Sequence, residues 1–335
     1  MKDARSFAGP SMTDGRSSVT GAGELAPPAQ PARFLHRIEY AIFRVAFALF
    51  AALPPAAALR VGAWLGALFY LCDVRDRRIA LFNLGIAFPD LAPAERRRIL
   101  RASCRNLGRV AAEFCHLPQL DAARLQDIVS FADRGAWERA IQRAQQTGAV
   151  ILTAHFGNWE LLAYAHGLLG HPVTLVHRAM HNAAFDRAIG AVRAAAGTRA
   201  IKKKAAAKEA LRVLREHGLL VIPSDQNQTA AFGVFVDFFG VPACTTPGAA
   251  RLAMRMGAPI IPAFLVREGE SGRHRVEVLP DVELITTGDR EADIRTNTQR
   301  CSDAIEHMIR RYPEQWIWFH HRWKTRPPGT PKLYK

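Results

Sequence analysis

GAVILTAHFGNWELL, residues 148–162, decides how this chain is read. From Gly148 to Ala154 the run is short and continuously apolar, the pattern of a strand buried on both faces of a sheet. The chain then turns at Gly157, where a tight backbone is permitted, and Asn158 suits the N-cap of a following helix. His155 falls at the junction. In an open α/β sheet, sites form at the carboxyl ends of strands, where the chain turns toward a helix. An imidazole at that point is a candidate for chemistry.

Working outward, the same alternation continues. A helix is expected over 158–169, a strand at VTLVH (173–177) and a helix over 182–196. A further helix over 204–217 leads into LLVIP (219–223), and GVFVDFF (233–239) alternates like an edge strand or hairpin arm. A helix over 246–256 precedes the buried strand APIIPAFLV (258–266), HRVEVL (274–279) is another strand, and a last helix covers 290–311. This order implies an α/β fold with a mostly parallel central sheet flanked by helices.

Upstream the composition changes. Residues 1–31 are rich in Gly, Ser, Pro and Ala without an apolar period, so a disordered tail is expected, and no h-region marks a signal peptide. From Val45 to Cys72 the only charge is Arg60, and Pro54-Pro55 breaks the stretch into two apolar pieces, each shorter than a typical span. Two readings stand: a membrane-anchoring helical segment, lying at the interface or tilted from near Ala41, or a pair of buried core helices. The flanking Arg33, Arg37 and Arg44 favour the membrane. Residues 73–118 read as helical, with Arg97, Arg101, Arg105 and Arg109 on a basic face.

The 335-residue chain carries 45 Lys and Arg against 30 Asp and Glu, a net charge of +15, which attracts polyanions without choosing a fold. Two acid-free basic runs are candidate docking surfaces: Arg199, Lys202, Lys203, Lys204 and Lys208, and the stretch from His320 to Lys335 with Arg322, Lys324, Arg326 and Lys332. The 5 Cys lack CxxC spacing, so neither a disulfide scaffold nor a structural zinc is expected. Walker A, Rossmann and HExxH patterns are absent, as are zinc-finger and RNP1 patterns, which leaves ATP hydrolysis, hydride transfer, zinc proteolysis and nucleic-acid binding without local support.

His155 is followed five residues later by Glu160, in the first turn of the expected helix. The same spacing recurs at His116–Asp121 and His181–Asp186, so spacing does not decide and position does. A loop can fold Glu160 back onto the ring, where a carboxylate fixes the tautomer and stabilises imidazolium. No GxSxG elbow or Cys motif supplies a nucleophile, so the pair suits general-base activation of a substrate hydroxyl.

HFGNWE resembles the His-x4-Asp/Glu block of the glycerolipid-type acyltransferases. The longer stretches LTAHFGNWELL (152–162), VHRAMHN (176–182), LREHGLLVIPSDQN (214–227), GVFVDFFGVPACTTPGAARLAMRMGAPIIPAFLV (233–266) and RRYPEQWIWFHHRWKTRPP (310–328) are similar to the bacterial lipid A biosynthesis late acyltransferases. The resemblance implies transfer of a fatty acyl group from acyl carrier protein to a hydroxyl of a lipid A precursor or related lipid. It places the enzyme on the anionic inner membrane, at its cytoplasmic face, without metal or cofactor. It makes His155 the general base and Glu160 its orienting partner. Arg178, Asp225, Gln226 and Asn158 become substrate-binding candidates, with Arg178 either holding phosphate or pairing with Asp225. His177 and Ser224 stand where relatives commonly carry Tyr and Pro. The implied organisation is a tail (1–31), a membrane-associated helical segment (32–72), a basic helical region packed on the catalytic domain (73–126), an α/β acyltransferase domain (127–328) and a basic C-terminal tail (329–335).

Overall fold

The computed structural model describes residues 30–177, 180–202 and 206–334. Nearly all of the expected tail, together with Arg178, Lys203, Lys204 and Lys335, lies outside the described residues. Among the described residues the chain opens with helices α1 (Gln30–Ala52), α2 (Pro55–Cys72), α3 (Val74–Ala87) and α4 (Pro93–His116). Alternation follows through α5 (Ala122–Ile128), β1 (Val129–Phe131), α6 (Arg134–Thr147), β2 (Ala149–Thr153), α7 (Trp159–Leu168), β3 (Val173–His177), α8 (Ala183–Ala194), β4 (Arg199–Lys202), α9 (Ala206–Arg215) and β5 (Leu219–Pro223). A hairpin of β6 (Val234–Phe238) and β7 (Val241–Thr245) is succeeded by α10 (Gly248–Met256), β8 (Ile260–Arg267), β9 (His274–Val278) and α11 (Arg290–Arg311).

The sheet has seven strands in the order β1-β9-β8-β2-β5-β3-β4. β8, β2, β5, β3 and β4 run parallel, whereas β9 returns antiparallel to β8 and carries β1 parallel to itself. β2 is central and buried at every position. Val150 and Leu152 enter one core cluster with Leu220 and Ile222, while Ala149 and Ile151 enter the opposite one with α6. Period-two alternation with both faces covered is why the strand reads as one apolar run.

Two strands of the seven-stranded sheet were not legible, nor was β7 of the hairpin. β1 is only three residues long, and β4, read above as part of a basic run, pairs with β3 from Thr174↔Arg199 to His177↔Lys202. An edge strand draws its hydrogen bonds from one neighbour and leaves polar side chains in water, so charge does not exclude it. The alternating segment 233–239 is an arm of the β6–β7 hairpin, and its turn residues Phe239 (φ 53°) and Gly240 (φ 72°) both adopt left-handed backbone, as a tight primed turn requires.

α2 packs along α4 through small residues. A Cβ on Gly108 would lie 1.9 Å from the Gly62 carbonyl oxygen, and one on Gly66 would lie 2.1 Å from that of Cys104. Small residues therefore face inward and large apolar ones outward: Val61, Trp64, Leu65, Leu68 and Leu71 are exposed, as are Phe34, Leu35, Ile38, Ile42, Val45 and Leu49 on α1. The reading of two buried core helices does not hold. Among the described residues, α2 is one helix long and apolar enough to cross a membrane, with a mean hydropathy of 1.4.

The C-terminal segment also departs from expectation. Trp316, Trp318, Trp323 and Arg322 are fully buried. The Arg322 guanidinium donates to Cys244 O and Thr245 Oγ1 and lies 4.6 Å from the Phe238 ring centre, and burial takes its pKa down to about 10. This arginine belongs to the interior and not to a basic docking face.

Candidate active site

Register builds the site. β2 and β5 pair in parallel with Thr153 opposite Pro223, so the residues two places beyond each strand end, His155 and Asp225, arrive level with one another. Ser224 N–H donates to Thr153 O at 3.1 Å and extends the pairing past the strands. His155 Nδ1 is 2.9 Å from Asp225 Oδ1, and the His155 main-chain N–H donates to Asp225 Oδ2 at 3.0 Å. Trp316 Nε1–H donates to the same Oδ2 at 2.9 Å. The carboxylate is fully enclosed, whereas 28% of the His155 side chain is exposed. Trp159 stands edge-on to the imidazole at 5.4 Å.

The electrostatics follow from this geometry. Burial by itself would push the His155 imidazole down, but the facing Asp225 carboxylate, with a smaller contribution from Glu160, raises its pKa above 6.5. Burial would raise Asp225, yet the His155 ring and the donors around it hold the carboxyl well below the usual carboxylate range. The pair is thus an ionised acid beside a basic imidazole. An acidic partner on Nδ1 fixes the tautomer that leaves the Nε2 lone pair outward, and among the described residues Nε2 has no hydrogen-bond partner.

The expected contact between Glu160 and His155 is not made. Glu160 lies in the first turn of α7, and its carboxylate takes a bidentate pair from Arg193 of α8, with Nε at 2.9 Å and Nη2 at 2.6 Å. Helical geometry carries the side chain toward α8 and away from the ring, and the carboxylate in contact with the imidazole is that of Asp225. Asn158, expected at substrate, is 1% exposed and turned inward. Its Oδ1 caps Leu161 N–H at 2.9 Å and its Nδ2 donates to Glu113 Oε2 at 2.7 Å. Gln226 is exposed, with Nε2 3.5 Å from His155 Nδ1.

Glu113 is part of a buried network that the sequence did not disclose. Arg267 at the end of β8 donates to both Glu113 oxygens (2.6 and 2.5 Å) and to Asn106 Oδ1 (2.8 Å), and His274 Nε2 lies 3.1 Å from Glu113 Oε1. Asn106 Nδ2 in turn donates to Gly157 O at 3.3 Å. Gly157 has φ 58°, and a Cβ there would lie 1.8 Å from Leu265 O, so the loop presses against β8 where only glycine fits. Burial opposes ionisation of Glu113, but Arg267 and His274 hold its pKa down to about 2. Glu113→Gln should cost about 3–5 kcal/mol in chemical denaturation, because it leaves the Arg267 charge buried and unpaired. The Glu113 contribution exists above the unfolded value near 4.5 and is lost as pH falls from there through about 2, so wild type should lose stability across that window more steeply than the variant.

Comparison with known proteins identifies the family. A family model described as bacterial lipid A biosynthesis acyltransferase matches residues 28–325. The chain is 26% identical to the lipid A biosynthesis myristoyltransferase of Escherichia coli (strain K12) over 260 residues, 78% of this chain and 79% of that one. It is 27% identical to the lipid A biosynthesis lauroyltransferase of the same strain over 288 residues (84% and 90% of the two chains), and 26% identical to its palmitoleoyltransferase over 263 residues (78% and 82%). With a strand-end imidazole and buried carboxylate inside a match that spans most of its length, the chain belongs to the bacterial lipid A biosynthesis acyltransferase family and is an acyltransferase.

Proposed function

We propose that this enzyme moves a fatty acyl group from an acyl carrier protein thioester to a hydroxyl of a lipid A precursor, with His155 as general base and Asp225 as the carboxylate that orients it. The observation that carries this reading is the 2.9 Å contact of His155 Nδ1 with a fully enclosed carboxylate, which leaves Nε2 at the partly exposed mouth of the sheet. Neutral Nε2 takes the hydroxyl proton as the oxygen attacks the thioester carbonyl. The resulting imidazolium is stabilised by Asp225. Collapse of the tetrahedral intermediate breaks the C–S bond, and the proton passes from His155 to the departing thiolate. Phosphates on the acceptor and an acidic carrier both match the +15 chain. Arg178, next to His177 in sequence, stays a proposed phosphate ligand.

The test is transfer by purified enzyme from acyl carrier protein thioesters of several chain lengths to a lipid A precursor, read by mass spectrometry. Gain of one acyl chain on the precursor, dependent on the thioester, supports the reading. No transfer from any chain length overturns it.

The site works at a membrane surface in this reading. The outward apolar faces of α1 and α2, with exposed Arg37, Arg44 and Arg60 among them, suit the headgroup boundary of the anionic inner membrane at its cytoplasmic face. Because α4 covers the opposite side of α2, the helix is proposed to lie at the interface rather than be surrounded by lipid. Changing Trp64 and Leu68 together to Glu should reduce binding to anionic vesicles more than tenfold in flotation, since each buried large apolar side chain contributes about 1.5 kcal/mol or more.

A further inference from the structure

We propose that Trp316 is a positioning residue of the transfer site, holding the Asp225 carboxylate in the orientation that serves His155. The inference rests on the His155–Asp225 reading given above.

Trp316 lies more than a hundred and fifty positions beyond His155 in sequence, yet its strap is stitched to the His155 loop on both sides. Gly157 N–H donates to Gln315 O at 2.8 Å, Ile317 N–H donates to His155 O at 3.3 Å, and Phe156 and Trp316 form an antiparallel bridge between these bonds. Ser103 of α4 fixes the strap from behind, donating Oγ–H to Trp316 O at 2.6 Å. From this anchored backbone the indole reaches across to the turn after β5 and donates to Asp225 Oδ2. One residue therefore references both halves of the pair, the loop through its main chain and the acid through its ring.

A purely packing role would explain the bulk of the indole but not the aim of its N–H. The other two buried indoles supply a contrast: Trp318 donates to Pro313 O at 2.7 Å and Trp323 to Val241 O at 3.2 Å, both uncharged carbonyls. Only Trp316 among these three donates to an ionised carboxylate. Asp225 Oδ2 accepts two N–H groups, from His155 and Trp316, and this pins the carboxylate plane so that Oδ1 stays on Nδ1. His320 supports the same turn, with its ring edge-on to Trp316 at 4.9 Å and Nε2 3.2 Å from Asp225 O.

Trp316→Phe, and full-length enzyme carrying benzothienylalanine at position 316, both delete the N–H; the second keeps the ring shape, so it separates the hydrogen bond from the packing. Both should lower kcat about tenfold, with KM for donor and acceptor changed by less than about twofold. With one donor gone, the carboxylate is a stronger partner for imidazolium, so the acidic limb of kcat/KM should move to higher pH. Wild-type kcat and an unmoved limb in the benzothienylalanine enzyme would assign Trp316 to packing alone and overturn the proposal. His155→Ala in the same assay keeps the two claims apart: an inactive variant leaves the underlying reading standing whatever Trp316 does, while full turnover by it removes both.

Discussion

Asp225→Asn should fold and bind membrane like wild type and transfer acyl groups on the order of 10³-fold more slowly. The amide fits the same space but carries no charge. It can present its NH₂ to His155 Nδ1, which then accepts rather than donates, and the ring is held in the tautomer that points N–H, not a lone pair, at the acceptor hydroxyl. The imidazolium formed during transfer also loses its counter-charge. The pH profile carries a second signature. In wild type the acidic limb of kcat/KM should have an apparent pKa above 6.5, because the proposed mechanism needs neutral His155 and Asp225 holds the proton on. Without that charge, burial dominates and the limb should move to lower pH, so residual activity extends further into acid. Glu160→Gln is the discriminating control. Its carboxylate serves Arg193, so the loss should be much smaller than that of Asp225→Asn. The opposite ranking in steady-state assays would restore Glu160 as the orienting acid.

His155→Ala should lower turnover about 10²–10⁴-fold, the range expected for loss of a general base, with the acceptor's KM little changed. The same linkage has a sign for stability. A histidine whose folded pKa is raised stabilises the protein fully below the unfolded value near 6.5, and that contribution fades as pH rises through the folded value. Thermal unfolding of wild type and His155→Ala should therefore differ more at pH 5.5 than at pH 9, a separation that calorimetry measures directly.

β2, β5 and β8 were readable because burial on both faces leaves a nearly unbroken apolar run, interrupted only at the last residue by Thr153 in β2 and Arg267 in β8. The start of α7 was readable from local hydrogen-bonding chemistry, with Asn158 as its N-cap. β1 and β4 were not, since a short edge or end strand takes its stability from a partner and needs no pattern of its own. The family blocks pointed to Asp225, but as a substrate contact, and the charge pattern assigned the stretch from His320 onward to a docking surface, whereas Arg322 and Trp323 are buried.

By itself, the sequence determined the α/β class, the strand-end place of His155 and the family of the chain, because each depends on short-range periodicity or on contiguous blocks. Which acid meets the imidazole was decided only by tertiary structure. The spacing from His155 to Glu160 is local, but once α7 forms its side chains project along a helix face toward α8. The β2–β5 register, with Thr153 opposite Pro223, brings a residue seventy positions away into hydrogen-bond contact with the ring. The same rule governs Trp316 and Glu113: their partners are set by how strands and helices stack, and no spacing along the chain encodes that.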